Sequence, residues 1–529
     1  GDLRGVIEKL DYLEDLGVDV LWLNPIYPSP NDDNGYDISD YRGVHPDFGT
    51  MQDFDELLVS AHARGIRLIM DLVVNHTSDE HPWFTAARSS PDSPYRDYYI
   101  WRTSRDGGPP NNWRSFFGGP AWDRDAATGE YYLHLFSRKQ PDLNWENPEV
   151  RREVREIIRF WLDKGVDGFR MDVVNLISKR DGLPDGEEPG RPTGHEHFAN
   201  GPRIRDYLRH IVDAMAGYDV MTVGESIIAD LETVAEYVDA ERGFFNMAIS
   251  FEHITLDHGP RGRYDPVPFE PGKFKASLAR WQEGLQERGW NCLYLSNHDH
   301  PRQVSRFGDD RRYWRESATM LATLLHTLRG TPFVMQGEEI GMTNVAFPSI
   351  DEYDDIECRN YFEAAVAAGT DPQVALEQIH RASRDNARTP MQWDTTANAG
   401  FTTGKPWLAT NPNHVRINVE AQRDDPDSVL AYYRRLVELR RNHPVLVYGT
   451  FGEVETSAPT LFAYERELGD TRVLVALNMG SEPAKWRPGF EPAAFRTLIA
   501  NYSAPPSPAG RVELRPYEAV AWITATSDP

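Results

Sequence analysis

The chain has 529 residues, of which 40% are hydrophobic and 11% aromatic, so it is long enough for two or three well-packed globular domains. Its formal net charge of −26 at pH 7 argues against a nucleic-acid-binding surface and against affinity for anionic membranes. Two cysteines, Cys292 and Cys358, give no disulfide framework and favour free thiols over a bridge. No apolar run is long enough to span a membrane and no signal peptide opens the sequence. We therefore expect a cytoplasmic monomer or weak homodimer without nucleic-acid or membrane partners.

The first predicted elements are apolar, β-branched runs that alternate with amphipathic helical stretches, which indicates a parallel sheet with crossover helices. Over 148–164 the apolar residues follow a helical period, and Asn147 precedes Pro148 as an N-cap before a helix-starting proline. The alternation is typical of an α/β fold, an eight-stranded (β/α)8 TIM barrel. Seven strands are predicted, at 18–23, 66–74, 165–171, 220–223, 245–249, 292–295 and 332–335.

The missing eighth strand is predicted to be the first, because Gly1 precedes every strand candidate. We favour a trimmed N-terminus over a barrel that lacks this strand, since an open barrel would expose two strand edges.

Two long interruptions and a change of pattern divide the rest of the chain. Residues 77–140, rich in Trp, Tyr, Pro, Gly and Asp, predict an inserted subdomain, and 340–410 predict a second insertion with a helix near 351–369. After a helix predicted at 427–442, short strands at 461–465, 472–477, 496–499, 512–515 and 519–524 predict a C-terminal antiparallel β-sandwich. The predicted domains are a barrel of 1–76 and 141–442, a subdomain at 77–140 and a sandwich at 443–529.

Polar and acidic residues collect directly after the predicted barrel strands. In an α/β barrel these strand ends converge on one face, where active sites lie. Bringing several carboxylates close together costs free energy, and a purely structural role would not offset that cost. Their occurrence at several strand ends therefore favours a functional site. The residues in question are Asp71, Asn75 and His76 at the end of the third barrel strand, Asp172 at the end of the fourth, Glu225 at the end of the fifth, and 296–299 at the end of the seventh.

Two carboxylates on neighbouring strands suit glycoside hydrolysis. Neighbouring strands are about 4.8 Å apart. This spacing fits the roughly 5–5.5 Å between the two carboxyl groups of retaining enzymes better than the wider separation of the two groups in inverting enzymes. Arg170 and Asp172 point to the same strand face, so the guanidinium keeps Asp172 ionised and favours a nucleophile over a structural ion pair. Glu225 has no adjacent cation in the sequence and is predicted to be the acid/base. Asp299, beside His298, is predicted to bind substrate hydroxyls.

Four segments in this order resemble the four signature regions of the α-amylase family, glycoside hydrolase family 13. They are 71–76 (DLVVNH), 168–172 (GFRMD), 224–225 (GE) and 297–299 (NHD). Residues 140–145 (QPDLNW) resemble the extra signature of the oligo-1,6-glucosidase and α-glucosidase group, as do 29–36, 343–350 and 383–393. The resemblance covers essentially the whole chain.

The resemblance implies a role for each matching position. It implies that Asp172 is the nucleophile, Glu225 the acid/base and Asp299 the third carboxylate. A closed pocket that binds the non-reducing glucose implies exo action on short oligosaccharides. The implied substrate-binding residues are His76, Arg170 and His298 around the first glucose, Tyr36 stacked under it, Asp33 and Arg388 closing the pocket, and Phe136 and Val173.

Val173, directly after the implied nucleophile, bears on the linkage. In this group, valine there resembles enzymes that act on α-1,6 bonds, whereas threonine or alanine resembles α-1,4 maltases. A methyl-sized difference is worth roughly 1–3 kcal/mol, so we expect a real but leaky preference for isomaltose. The alternatives are an α-1,4-preferring α-glucosidase or an α-glucosyltransferase. A trehalose-6-phosphate hydrolase and a sucrose isomerase are less favoured, since the sequence shows no phosphate-binding cationic patch and no Arg-x-Asp-Arg loop.

Two departures from the family concern a metal and a histidine. No cofactor is expected for catalysis, but relatives begin with an Asp-rich loop that binds structural Ca²⁺ or Mg²⁺, of which this chain keeps only Asp2.

His300 stands where the group usually has glutamine after the third carboxylate. It tunes binding or pH dependence, or it is a neutral structural substitution, and we favour the second reading.

Overall fold

The computed structural model describes residues 1–187, 192–488 and 495–524. The chain divides into two units, Gly1–Phe251 and Glu252–Pro529. Across the described ranges, no helix combines the length and the apolar character needed to cross a membrane. The domain boundaries predicted from the sequence differ from this division and stay predictions.

The first unit contains a sheet of parallel strands with helices between them. Its helices are α1 (Leu3–Glu8), α2 (Leu10–Leu16), α3 (Met51–Ala63), α4 (Pro82–Ser89), α5 (Pro148–Lys164), α6 (His195–Phe198), α7 (Ile204–Ala214) and α8 (Leu231–Tyr237). Its strands are β1 (Val20–Leu23), β2 (Arg67–Leu72), β3 (Trp101–Arg102), β4 (Trp122–Arg124), β5 (Tyr131–Leu133), β6 (Gly168–Met171), β7 (Met221–Glu225) and β8 (Met247–Ile249). Strands β1, β2, β6, β7 and β8 pair in this order, all parallel.

Helix α5 confirms the predicted helix at both ends. The Asn147 side chain accepts a hydrogen bond from the backbone N–H of Glu149 at 2.9 Å, and Pro148 occupies the first helical position. The helix ends at Gly165, whose φ of 103° is a left-handed conformation that glycine adopts without a steric penalty. Its apolar stripe is buried, at Val150, Val154, Ile157, Ile158, Trp161 and Leu162.

The segment between β2 and α5 forms a small antiparallel sheet of its own, in the order β3, β5, β4. Aromatic and aliphatic side chains, among them Trp113, Trp122 and Leu133, pack into a cluster that also takes in Val173 and Phe198. This cluster therefore joins the segment to the turn after β6.

The second unit begins with a hairpin and further strand–helix alternation. Its helices are α9 (Pro271–Leu285), α10 (Gln303–Phe307), α11 (Trp314–Thr327), α12 (Ile356–Ala367), α13 (Pro372–Ala382), α14 (Asp385–Arg388), α15 (Val419–Gln422), α16 (Val429–Asn442) and α17 (Pro444–Tyr448). Its first strands are β9 (His258–Gly259), β10 (Gly262–Pro266), β11 (Cys292–Leu293) and β12 (Thr331–Pro332). Strands β11 and β12 pair in parallel.

All seven predicted parallel strands are therefore present, each overlapping its predicted run. Within the described residues their hydrogen-bonded ladders form a five-stranded and a two-stranded group, and no ladder closes them into a ring. Both cysteines are free and buried.

The C-terminal part of the second unit confirms the predicted antiparallel sandwich. Its strands are β13 (Thr450–Val454), β14 (Leu461–Leu468), β15 (Thr471–Asn478), β16 (Ala484–Trp486), β17 (Phe495–Ala500), β18 (Val512–Leu514) and β19 (Ala519–Thr524). One sheet has the order β13, β14, β15, β19, β17 and the other pairs β16 with β18. Buried side chains from both sheets, including Leu474, Trp486, Leu514 and Trp522, form one core. Strands β13 and β16 were not predicted, and residues 489–494 and 525–529 of the predicted sandwich lie outside the described residues.

Candidate active site

The register of β6 and β7 brings two acidic residues to neighbouring strand ends. Met171 on β6 lies opposite Gly224 on β7, so the residues that follow, Asp172 and Glu225, come next in register. Both carboxylates are buried, at 6% and 4% exposure. Neighbouring strands lie about 4.8 Å apart, so these two side chains begin from adjacent backbone positions.

Arg170 lies at the centre of a cluster of buried carboxylates in the first unit. Its Nη1 atom is 2.7 Å from Asp71 Oδ1 and 2.5 Å from Asp172 Oδ1, and its Nη2 atom is 2.8 Å from Glu225 Oε2. Burial opposes the guanidinium charge, but attraction to Glu225, Asp71 and Asp172 raises the pKa of Arg170 well above its usual range.

Glu225 has no adjacent cation in the sequence, but the fold brings one to it. Arg170 is distant from Glu225 in sequence, but the parallel ladder of β6 and β7 places the two residues side by side. The charge of Arg170 does not distinguish the roles of Asp172 and Glu225, because the guanidinium contacts both carboxylates.

Asp71 is a third carboxylate in this cluster and is fully buried. Trp22 Nε1 donates a hydrogen bond to its Oδ2 at 2.9 Å. Burial raises the pKa of Asp71 to about 6, although the nearby Arg170 guanidinium opposes this shift. The predicted sugar-stacking residue Tyr36 contacts the same oxygen through its hydroxyl, at 3.4 Å, and its ring lies near the Arg170 guanidinium.

His76 lies in a buried polar network that includes an unpredicted lysine. Lys179 Nζ lies 2.6 Å from Asp142 Oδ2 and donates to Asn75 Oδ1 at 2.9 Å, and the Asn75 amide nitrogen is 3.2 Å from His76 Nδ1. Burial lowers the pKa of His76 to about 4, so the imidazole is neutral at physiological pH. The sequence signal for Lys179 was its place as the first charged residue after the uncharged run 173–178, followed directly by Arg180.

The predicted pocket residue Asp33 is joined to His76 through Gln140. The Gln140 side-chain nitrogen donates to Asp33 Oδ2 at 3.1 Å and lies 3.2 Å from His76 Nε2. The ring of Phe136 is 5.2 Å from the His76 ring and stacks on Phe116 at 5.0 Å. The structure therefore brings Asp33, His76 and Phe136 together, with Gln140 as a link that the sequence analysis did not single out as a site residue.

Val173 lies in the turn directly after β6 and is 6% exposed. Its backbone N–H donates to Glu225 Oε2 at 2.9 Å. Its side chain belongs to the aromatic cluster against which Phe136 packs. The predicted linkage residue is thus in contact with the carboxylate of Glu225 through its main chain.

In the second unit, Asp299 is held by three basic side chains. Arg388 Nη2 donates to its Oδ1 at 3.0 Å, Arg384 Nη1 donates to the same oxygen at 3.3 Å, and His298 Nε2 lies 3.2 Å from Oδ2. Burial alone would raise the pKa of Asp299, but His298, Arg384 and Arg388 together hold it well below its usual range. Asp299 is therefore an ionised acceptor.

Arg384 was not predicted, although it lies in the quoted segment 383–393 four residues before Arg388. Asp355 fixes its guanidinium through hydrogen bonds of 3.0 Å to Nε and 2.6 Å to Nη2. The predicted pairing of Arg388 with Asp33 stays a prediction.

His300 is 2% exposed, and its backbone N–H donates to Asn297 O at 3.2 Å. Burial, with the positive charges of Arg263 and Arg306, holds the pKa of His300 well below its usual range. Because His300 is held neutral, a structural substitution is favoured over a residue that tunes the pH dependence of the activity.

Asp2 has a structural role in the first helix. Its side chain accepts a hydrogen bond from the backbone N–H of Gly5 at 2.7 Å and caps α1. Within the described ranges, no group of three His, Cys, Asp or Glu residues could hold a metal ion. Because Ca²⁺ takes six to eight oxygen ligands, Asp2 by itself does not make the metal site that the resemblance suggests.

Comparison with known proteins agrees with this geometry. Residues 1–449 match the family described as the alpha-amylase catalytic domain. The chain therefore belongs to the α-amylase family, which confirms the resemblance and the barrel fold read from the sequence.

Individual relatives match nearly the whole chain. An oligo-1,6-glucosidase of Parageobacillus thermoglucosidasius is 53% identical, covering 98% of this chain and 94% of the relative. An oligo-1,6-glucosidase of Halalkalibacterium halodurans is 52% identical, covering 99% and 94%. Among solved structures, the isomaltulose synthase of a Klebsiella species superposes with a TM-score of 0.96 at 44% identity, covering 99% of this chain and 95% of that chain.

Proposed function

We propose that this protein is a retaining, exo-acting α-glucosidase that releases glucose from the non-reducing end of short α-glucosides and prefers α-1,6 linkages. The observation that carries the proposal is the pair of carboxylates, Asp172 and Glu225, at neighbouring strand ends around Arg170. Family membership and the two relatives named oligo-1,6-glucosidase, at 52–53% identity over nearly the full length, support it.

The adjacent strand positions favour retention of anomeric configuration. Retaining enzymes place their carboxyl groups roughly 5–5.5 Å apart, and inverting enzymes leave a wider gap for a water molecule. Neighbouring strands about 4.8 Å apart suit the narrower separation. The reaction is accordingly a double displacement through a covalent glucosyl-enzyme.

In the first step, a carboxylate oxygen of Asp172 forms a bond to the anomeric carbon while the glycosidic C–O bond breaks. Glu225 donates a proton to the departing oxygen. In the second step, Glu225 takes a proton from water, whose oxygen attacks the anomeric carbon and releases Asp172. Arg170, which is fully buried, donates to Asp172 Oδ1 at 2.5 Å and so orients this carboxylate for its attack.

The residues around His76 suit a pocket for the terminal glucose. Neutral imidazole, amide and carboxylate groups at His76, Gln140 and Asp33 offer hydrogen bonds to sugar hydroxyls. Tyr36 and Phe136 supply aromatic faces on which a sugar ring stacks. Asp299, an ionised acceptor, binds further hydroxyls. These roles are carried over from the family positions that the chain matches.

Val173 is the proposed determinant of linkage. Its branched side chain is buried beside the turn that carries the nucleophile, where one methyl group changes which leaving group fits. Such a difference is worth roughly 1–3 kcal/mol, or about 10- to 200-fold in selectivity.

The test is the ratio of kcat/KM for isomaltose to kcat/KM for maltose, in the wild type and in Val173→Thr. We expect the wild type to prefer isomaltose and the variant to shift the ratio toward maltose by about tenfold. Val174→Thr, one residue further along the same turn, is the matched control and should leave the ratio unchanged. Wild-type preference for maltose overturns the linkage assignment.

A further inference from the structure

Val173 has a backbone conformation that branched residues rarely adopt. Its φ of 34° and ψ of 38° lie in the left-handed region, where the Cβ atom crowds the following carbonyl. Within the described residues, Ile228 is the other β-branched residue with a positive φ. Such conformations persist only where the surroundings impose them, and they concentrate at functional sites.

Contacts on both sides of Val173 impose this conformation. The preceding residue is tied to β2, because Asp172 N–H donates to Leu72 O at 3.0 Å. The turn closes on itself, because Leu176 N–H donates to Val173 O at 2.9 Å. The isopropyl group is packed in the aromatic cluster, so it does not rotate away from the turn.

A second set of hydrogen bonds ties the same turn to the loop after Glu225. The side-chain amide of Asn175 donates to Ile227 O at 2.6 Å and to Asn200 Oδ1 at 3.0 Å. The Tyr237 hydroxyl donates to that same Asn200 oxygen at 2.8 Å. Asn175 is fully buried, so these bonds form without competition from water. The segments that follow Asp172 and Glu225 are thereby held as one unit.

The left-handed turn points the Val173 N–H at Glu225. This N–H donates to Oε2 at 2.9 Å, and Arg170 Nη2 lies 2.8 Å from the same oxygen. One N–H donor and the charge of a guanidinium beside the same oxygen favour that oxygen as the acceptor atom of a protonated carboxyl group. The carboxyl proton is then carried by Oε1.

We propose that Val173 is a positioning residue for acid catalysis, whose main-chain N–H holds Glu225 Oε2 so that Oε1 presents its proton to the glycosidic oxygen. This inference rests on the proposed function. During glycosylation the Oε1–H bond breaks and the proton passes to the leaving oxygen, which takes the electron pair of the broken C–O bond, while Asp172 bonds to the anomeric carbon. Residue 173 thus has two effects. Its side chain sets the linkage preference, and its main-chain amide supports proton delivery by Glu225.

The test removes the N–H and keeps the side chain. Nonsense suppression with 2-hydroxy-3-methylbutanoic acid replaces the amide at position 173 by an ester with the same isopropyl group. Two substrates are compared: isomaltose, whose leaving oxygen needs a proton, and α-glucosyl fluoride, whose fluoride leaves with little acid assistance. We expect kcat/KM to fall about 10- to 100-fold on isomaltose and less than about threefold on the fluoride.

The matched control is the ester at position 183. Leu183 also has a positive φ and lies in the same cluster, and its ester deletes the hydrogen bond from Leu183 N–H to Arg180 O without altering the turn at Val173 or a contact to Glu225. We expect it to change the two substrates by the same factor. Equal losses on both substrates in the position-173 ester, or no loss on either, overturn the proposal.

Val173→Gly supplies a second measurement that does not depend on folding of the ester. Glycine keeps the N–H and adopts a positive φ freely, so the basic limb of the pH dependence of kcat/KM on isomaltose, which reports the catalytic acid, should keep its wild-type position. Loss of the isopropyl group changes the isomaltose-to-maltose ratio by the separate linkage route. A displaced basic limb in this variant overturns the amide role. Failure of the wild type to release glucose from isomaltose is a separate result, which overturns the proposed function itself.

Discussion

Arg170 contacts three carboxylates at once, and this shapes the chemistry of single residues in the site. Its ion pairs with Asp71, Asp172 and Glu225 span strands β2, β6 and β7. The sequence predicted only the pair of Arg170 with Asp172, because the contact of Arg170 with Glu225 depends on the register of strands β6 and β7. Glu225 also accepts a hydrogen bond from the main-chain N–H of Val173.

Lys179 is expected to be essential for stability because its charge is buried against a single carboxylate. The Lys179 side chain is 5% exposed and lies 2.6 Å from Asp142, whose side chain is fully buried. Removing one partner of a buried pair costs about 3–5 kcal/mol, since the other charge is left uncompensated. Lys179→Met should therefore lower the midpoint of thermal unfolding, and Asp142→Asn added to it should restore part of the loss.

An exposed ion pair of the same length is the control for Lys179. Lys164 lies 2.6 Å from Asp55, with side-chain exposures of 21% and 53%. Lys164→Met should cost at most about 1 kcal/mol. Equal unfolding temperatures of the two lysine variants, or a double variant no more stable than Lys179→Met alone, would contradict the role of burial in this ion pair.

At the scale of elements, β6 and β7 carry the site, and their ladder depends on one glycine. Gly168 has a φ of 148°, and a Cβ atom built there would lie 1.9 Å from the carbonyl oxygen of Met221 on β7. Gly168→Ala should push the strands apart and abolish both folding yield and activity. Soluble expression, circular dichroism and hydrolysis of isomaltose measure the effect.

Gly452 on β13 provides the comparison for this substitution. A Cβ atom there has no neighbour within 4 Å, and the residue has no positive φ. Gly452→Ala should leave expression and activity at wild-type levels. Wild-type behaviour of Gly168→Ala would show that the ladder tolerates displacement and that the register does not set the spacing of Asp172 and Glu225.

The elements themselves were largely predictable because their signals are local. Helix α5 has a cap, a starting proline, an apolar stripe and a final glycine, and both of its ends were predicted correctly. Strands β11 and β12 are only two residues long, although the apolar runs at 292–295 and 332–335 are twice that length. A run of apolar residues marks a buried segment, but hydrogen bonding between distant segments decides where a strand ends.

For the molecule as a whole, composition and motif order indicated the class of fold and the family. Lys179, Gln140 and Arg384 escaped prediction because each acts through partners that are distant in sequence. The cytoplasmic location, the oligomeric state and the absence of a catalytic cofactor stay predictions.

The pH dependence of global stability is expected to depend on Glu338. This residue is 1% exposed, accepts a hydrogen bond from the Ser296 hydroxyl, and has a pKa raised to about 8 by burial. The native state therefore holds a proton that the unfolded chain releases near pH 4.5, so stability falls as pH rises from about 4.5 to 8.

Glu338→Gln removes this dependence, since glutamine resembles the protonated acid in shape and does not titrate. Relative to wild type, its free energy of unfolding should rise by about 1.4 kcal/mol per pH unit between pH 5 and 8. Thermal unfolding midpoints across this range measure the trend, with the exposed Glu377→Gln on α13 as control. A difference between Glu338→Gln and wild type that is constant with pH contradicts the expectation.

The mechanism and the linkage preference are tested most directly by proton NMR before the released glucose mutarotates, with α-glucosyl fluoride as the substrate that yields a single glucose and with isomaltose and maltose compared for rate. A retaining exo-α-glucosidase with α-1,6 preference releases α-glucose first from the fluoride and has the higher kcat/KM on isomaltose. Initial release of β-glucose from the fluoride contradicts the double displacement through Asp172, and faster hydrolysis of maltose contradicts the linkage assigned to Val173.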